Sequence, residues 1–257
     1  MKIADHRPGC WSKYGIPIII RFERWYMAAS IHDRITRIKT GNVNSYLIGT
    51  EHGFLLIDTG TPGSFGKFHT AFEEKQVDFT DLLCIILTHT HYDHTGNAKE
   101  IRLRSQAPLI VHEGEAENVK TGFTPLPKGT TTIGKIMMKI AGGLKGKRAG
   151  YPSFTPDITV TDEYDLGQFG IEGRIIVTPG HTKGSLSVLL EDEACFVGDS
   201  MFNFTGKSFY PPFANDEATL RTTWDYFTDI PCTVYYPGHG KPIPKDAFLQ
   251  FVEKSGG

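Results

Sequence analysis

One short stretch, Thr88-His89-Thr90-His91-Tyr92-Asp93-His94, sets three histidines and a carboxylate within six residues, directly after the apolar run Leu82–Leu87. Polar groups carried to the end of a buried strand must be satisfied there, so this density is costly without a purpose. Imidazole and carboxylate are the donors that zinc, iron and manganese accept. His89 and His91, two apart on an extended segment, can point to one side. Asp93 and His94 follow where the chain turns and can reach a second ion nearby. A solvated polar loop is the competing reading, and the concentration of ligand types argues against it.

Three later segments are built alike. His181 stands in Thr178-Pro179-Gly180-His181-Thr182, Asp199 in Val197-Gly198-Asp199-Ser200, and His239 in Tyr236-Pro237-Gly238-His239-Gly240. Each follows an apolar run (expected strands ending at Val177, Val197 and Tyr236) and sits beside glycine, which permits tight turns and close backbone approach. Each alone is weak. Together with the first cluster they supply the missing ligands for two divalent metal ions, Zn2+ by preference with Fe or Mn as alternatives. Asp58, in Ile57-Asp58-Thr59-Gly60, ends another apolar strand. It reads either as a turn or cap residue or, as favoured here, as a carboxylate that fixes the tautomer of a metal-bound histidine. His6, His32, His52, His69 and His112 lack the strand-end glycine setting and read as structural or surface residues.

These groups need strands to carry them. Apolar runs predict strands over Val43–Ile48, Phe54–Ile57, Leu82–Leu87, Pro108–Val111, Arg174–Val177, Leu186–Leu190, Ala194–Val197 and Thr233–Tyr236. Helical spacing predicts helices over Ser64–Lys75, Gly96–Arg104, Glu217–Phe227 and Lys245–Glu253. Strands and helices recur in both halves, which suits an α/β architecture of two sheets packed face to face with helices outside. One domain over residues 1–257 is expected, with an inserted lid-like segment at about 115–153. Within that insertion, Ile133, Ile136, Met137, Ile140, Ala141 and Leu144 fall at helical spacing among lysines, an amphipathic basic helix. A wall over the site, a dimer contact and a membrane-surface helix compete for it, in that order. The first 40 residues, with Trp11 and Trp25, stay unassigned between an edge strand and a dimer arm.

Composition narrows the partners. A formal net charge of −2 gives no support to nucleic-acid binding, which favours a basic excess. At 257 residues the chain can bury a core without disulfides or a structural metal. Cys84 and Cys195 lie inside apolar runs and read as buried reduced thiols. The apolar run Ile16–Ile20 is too short to span a membrane and lacks a signal-peptide layout, so a cytoplasmic protein without a transmembrane segment is expected.

In order and setting, Asp58, His89–His94, His181, Asp199 and His239 resemble the metallo-β-lactamase-fold hydrolase superfamily, over residues 42 to 242. The resemblance implies an αββα four-layer sandwich, two mixed β-sheets with helices on the outer faces and the metals at one edge. It implies that His89, His91 and His181 hold a first metal, that Asp93, His94 and His239 hold a second, and that Asp199 bridges them. The departures select a branch. True β-lactamases of the fold lack the bridging aspartate, so antibiotic hydrolysis is not expected. The diiron flavoproteins have Glu where this chain has His91, and carry a flavodoxin domain. Glyoxalase II resembles this chain in ligands but continues into a helical glutathione-gripping domain, for which the 18 residues after His239 leave no room. Acyl-homoserine lactonases place a tyrosine where this chain has Phe202; Tyr210 is the candidate substitute. Processing ribonucleases of the fold add an exosite arm and a basic surface, neither of them evident.

The expected reaction is attack on an ester, thioester or lactone bond by a hydroxide shared between the metals. Asp93 orients the nucleophile and passes a proton to the leaving group, while Asp58 supports catalysis from behind a ligand. Tyr92 reads equally as a substrate-facing or a packing residue. Phe202, Phe204, Phe209, Tyr210 and Phe213 form either ordinary core or an aromatic pocket for a small-molecule substrate with an apolar body. A phosphodiesterase, a mononuclear iron persulfide dioxygenase and a non-catalytic binding module are the competing functions. A homodimer is open.

Overall fold

Alternation along the central strands sorts their side chains onto two faces, and that sorting builds the layers. The computed structural model describes residues 30–131, 134–136 and 150–255. In β3 (Phe54–Ile57), Leu55 and Ile57 join one apolar cluster while Phe54 and Leu56 join another. In β4 (Leu82–Ile86), Cys84 and Ile86 face the first cluster and Leu82 and Ile85 the second. In β9 (Leu186–Leu190), Leu186, Val188 and Leu190 join that same first cluster, while Leu189 points to a third. The first cluster is therefore the seam between two sheets, and the others lie on their outer faces.

One sheet runs β6 (Ile158–Val160), β5 (Leu109–His112), β4, β3 and β2 (Val43–Gly49), with β1 (Ile35–Thr40) also paired to β2. Its β3–β6 pairings are parallel and its β1–β3 pairings antiparallel. The other runs β11 (Val234–Gly240), β10 (Ala194–Asn203), β9, β8 (Gly173–Val177) and β7 (Tyr164–Asp165), with β12 (Ile243–Pro244) on β11. Among the described residues a single ladder pairing, Val43 with His239, joins the two sheets, and the Asn44 and Tyr46 side chains of β2 add hydrogen bonds to carbonyls of β11.

Helices cover both outer faces. On the first sheet, α1 (Phe65–Glu74) buries Phe68 and Phe72, one turn apart. A four-residue turn, α2 (Tyr92–Thr95), precedes α3 (Ala98–Ser105), which buries Ala98 and Ile101; α4 (Ala116–Thr121) adds Val119. On the second sheet, α5 (Glu217–Asp229) starts where the Asp216 side chain accepts the Thr219 N–H, and buries Leu220, Trp224 and Phe227. α6 (Lys245–Lys254) buries Phe248 against the same cluster. Each such side chain contributes roughly 1.5–3 kcal/mol of burial. The α/β sandwich expected from the sequence is the observed architecture.

Two strands differ from expectation. Those expected to stop at Val197 and Tyr236 run on to Asn203 and Gly240, so Asp199 and His239 sit within β10 and β11. The reason is local: register shifts flank Gly198, whose φ is +50°, so the ladder bulges instead of ending. Cys84 and Cys195 are buried, as expected. Residues 1–29 and most of the basic amphipathic segment, 137–149 included, lie outside the described residues.

Candidate metal centre

After β4 the chain stays extended as far as His91 (φ −62°, ψ 150°) and then closes the single turn α2. The extended part presents His89 and His91; the turn presents Asp93 and His94. His181 comes from the loop after β8, Asp199 from the bulge of β10, and His239 from the end of β11. All seven predicted ligands meet. Donor atoms of three sets, His89–His91–His181, His89–His94–Asp199 and Asp93–His94–His239, lie within 4.8 Å of one another. One carboxylate is common ground: Asp199 oxygens stand 3.9 Å from His89 Nε2, 3.2 Å from His94 Nε2, 3.5 Å from His181 Nε2 and 3.4 Å from His239 Nε2. Glycine makes this convergence possible. A Cβ on Gly238 would lie 2.5 Å from Asp199 Oδ1 and 2.6 Å from His94 Cε1.

The outer ring nitrogen of each histidine is tied to an acceptor, and that fixes its tautomer. His91 Nε2 donates to the Pro125 carbonyl at 3.1 Å, His181 Nδ1 to the Phe213 carbonyl at 2.9 Å and His239 Nδ1 to the Asn42 carbonyl at 3.0 Å. His94 Nδ1 donates to Asp58 Oδ2 at 2.8 Å. The Thr88 hydroxyl donates to Asp58 and so accepts from His89 Nδ1, at 3.1 Å. The inner nitrogens of the neutral rings are therefore lone pairs turned towards one another. His181 Nε2 and His91 Nδ1 face each other at 3.0 Å, His94 Nε2 and His239 Nε2 at 3.4 Å, and buried His89 Nε2 has no hydrogen-bond partner among the described residues. Lone pairs so placed need a proton or a cation between them. The donor set, imidazole and carboxylate without thiolate, fits a divalent metal.

The comparisons with known proteins agree. Residues 38–239 match the model of the metallo-beta-lactamase superfamily. The probable metallo-hydrolase MJ0888 of Methanocaldococcus jannaschii is 30% identical over 210 residues, which cover 80% of this chain and 91% of that protein. The chain belongs to the metallo-beta-lactamase superfamily. It is also similar to the lactamase-like protein adaB of Aspergillus niger, 26% identical over 80% of this chain, and spans about half (52%) of that protein's length. Among solved structures, the superfamily protein ST1585 from Sulfolobus tokodaii superposes with a TM-score of 0.61 at 23% identity, covering 87% of this chain and 86% of that one. The subclass B3 metallo-beta-lactamase BJP-1 of Bradyrhizobium japonicum gives 0.62 at 20% identity, covering 87% and 89%. At these identities the structural likeness speaks for the fold alone.

Within this superfamily member the two ends of the cluster differ in protonation. Burial lowers the pKa of His89 and of His91, and takes His181 down to about 4. At His239 burial also works against charging, but Asp199 and Asp93 outweigh it and push the ring up to about 9. His94 is likewise driven up against its burial, by the charges of Asp199 and Asp58. Burial opposes the Asp199 charge, yet His239 and His94 hold the carboxyl well below the usual range. Without a metal, His89, His91 and His181 are neutral while protons occupy the other end.

Asp58 lies behind this cluster. It is buried at φ +59°, accepts the Thr88 N–H at 2.8 Å, and touches the centre only through His94 and Thr88. Thr88 is a positioning residue the sequence did not reveal, since one hydroxyl has no spacing signature. Glu115, buried, is another: it accepts from the Thr90 hydroxyl and, at 2.9 Å, from Asn118. The five aromatics do not form one pocket. Phe202 stacks on the His239 ring, with centroids 4.7 Å apart and planes 7° apart, and exposed Phe204 lies 6.0 Å from it. Phe209 and Tyr210 pack on the α5–α6 side, where the Tyr210 hydroxyl donates to Glu217 at 3.1 Å. Tyr92 packs against the outer cluster of the first sheet. His32 bonds Tyr236, His112 caps the Gly114 N–H, and exposed His69 pairs with Glu73.

Proposed function

We propose that this protein is a dinuclear metal-dependent hydrolase, loaded with zinc, that cleaves ester, thioester or lactone bonds in a small molecule with an apolar body. The observation that carries the reading is the inward set of lone pairs arranged around one shared carboxylate, Asp199. His89, His91 and His181 would hold one ion, Asp93, His94 and His239 the other, and Asp199 both. Two divalent cations there supply Lewis acidity and bring the pKa of a coordinated water towards neutrality. The chain's own residues do the rest. Asp93 is the least buried of the seven, its side chain 19% exposed, so it is the ligand that meets incoming substrate. Its carboxyl is held below the usual range, against its burial, chiefly by His239 and His94, and so stays ionised to orient water and relay a proton to the leaving group. Phe202 and Phe204 offer an apolar wall beside His239, which supports an acyl or aromatic substrate body.

Metal analysis of the purified protein, with a panel of generic ester, thioester, lactone and phosphodiester substrates, tests this. Two zinc ions per chain and turnover of an acyl substrate are the expected results. One iron per chain, or turnover of the phosphodiester alone, would overturn it.

A further inference from the structure

The His91 and His181 rings owe their orientation to two backbone segments far apart in the chain, and those segments are bonded to each other. Pro125, whose carbonyl takes the His91 Nε2–H, follows Thr124, whose hydroxyl donates to the Thr90 carbonyl at 2.6 Å, in the peptide between His89 and His91. The Tyr151 hydroxyl donates in turn to Thr124 at 2.8 Å. On the other side, the Phe213 carbonyl takes the His181 Nδ1–H. The two segments pair as a short antiparallel bridge: Gly129 lies against Phe213, the Ala214 N–H donates to the Lys128 carbonyl at 2.9 Å, and the Thr130 N–H donates to the Pro212 carbonyl at 2.9 Å. The Thr130 hydroxyl closes the bridge, donating to the Pro211 carbonyl at 2.6 Å.

We propose that residues 124–130 form a strap that sets the donor geometry of the His89–His91–His181 seat, with Thr130 as the positioning residue that locks it to residues 211–214. The strap leaves the other seat alone. His94 and His239 take their orientation from Asp58 and the Asn42 carbonyl, on the loop after β3 and the β1–β2 turn. This inference rests on the metal-binding reading above. Its signature is selective: loosening the strap weakens one seat and spares its neighbour, whereas general destabilisation weakens both.

The experiment compares wild type, Thr130→Val and Thr130→Ser. Val keeps the shape and removes the hydroxyl; Ser keeps the hydroxyl. Zinc is titrated against a chromogenic chelator, and exchange of the histidine ring N–H protons is followed by nitrogen-15 NMR on the metal-free protein. For Thr130→Val, one of the two zinc affinities is expected to fall about tenfold, the scale typical of residues that orient ligands. Exchange at His91 and His181 quickens, while His94 and His239 keep wild-type rates. Thr130→Ser restores both readouts. Unchanged affinities in Thr130→Val, or equal losses at both seats, would refute the strap. A wild-type protein that binds no metal would instead refute the metal-binding reading.

Discussion

Replacing Asp58 by Asn changes the centre without touching a ligand. Asn tolerates the left-handed conformation seen there, φ +59°, better than almost any other residue, so the backbone is undisturbed. What changes is the donor–acceptor match. The carboxylate accepts from three groups: the His94 Nδ1–H at 2.8 Å, the Thr88 N–H at 2.8 Å and the Thr88 hydroxyl at 2.9 Å. An amide offers one acceptor and one donor group. If its NH2 faces His94, Nδ1 must accept, and the proton moves to Nε2, the nitrogen that faces Asp199 at 3.2 Å. If its NH2 faces Thr88 instead, a buried backbone N–H loses its partner, at a cost of about 1–3 kcal/mol. The first outcome weakens the seat containing His94; the second spares the His94 tautomer but loosens Thr88 and, through its hydroxyl, the His89 ring. The expected loss is about 10–100-fold in affinity for the ion held by Asp93, His94 and His239, or about 1.4–2.8 kcal/mol. Competition titration of zinc against a chelator measures it, with activity on a generic ester falling in parallel, while the seat of His91 and His181, reached from Asp58 by way of Thr88 and His89, loses less. Two wild-type affinities in Asp58→Asn would show that Asp58 does not govern the His94 tautomer.

Three further outcomes follow from the same geometry. Loading should respond unequally to pH: His239 is pushed up to about 9 and His94 is driven up as well, so a metal must displace protons from both, and affinity at that seat should climb about ten- to a hundredfold per pH unit below about 9, whereas the seat of His181, whose pKa is about 4, should be flat over the same range in stepwise titrations. Gly238→Ala drives a Cβ to 2.5 Å from Asp199 Oδ1, so the shared carboxylate must move; bound metal measured by mass spectrometry should drop below two per chain, and kcat should fall on the order of 100-fold, the cost of roughly ångström-scale misplacement. Stripping the metals with a chelator should lower the thermal midpoint, by an amount equivalent to about 4 kcal/mol per ion at a thousandfold excess of free zinc over its Kd, and re-addition should restore it; an unchanged melt would mean that the lone pairs are satisfied some other way.

How much of this could be read in the residues depended on periodicity and clustering. The bounds of β3 and β9 follow directly from short apolar runs between turn residues. β1 escaped notice because Ile-Thr-Arg-Ile-Lys-Thr presents only Ile38 and Thr40 to the interior, and an edge strand needs no more. β7 and β12, two residues each, carry no period at all. The seven convergent groups were legible because histidine and aspartate beside glycine at strand ends are conspicuous. Thr88, Thr124 and Glu115 were not, because their roles exist only once distant loops meet: Thr90 lies 25 residues from Glu115 and 34 from Thr124.

The anchoring pattern also explains why so much of the centre is backbone. A side-chain acceptor placed behind every ring would bring further buried carboxylates, each costly to desolvate. Three of the five rings are held instead by peptide carbonyls, of Asn42, Pro125 and Phe213, which need a hydrogen bond in any case once buried. The one carboxylate used in this way, Asp58, stands behind His94, a ring driven well up by its neighbours' charges and shared by two of the three candidate ligand sets. A negative charge at that position raises the basicity of the ring where two cations would meet one bridging carboxylate. Carbonyls suffice at His91 and His181, which are already neutral and present their lone pairs without competition from protons.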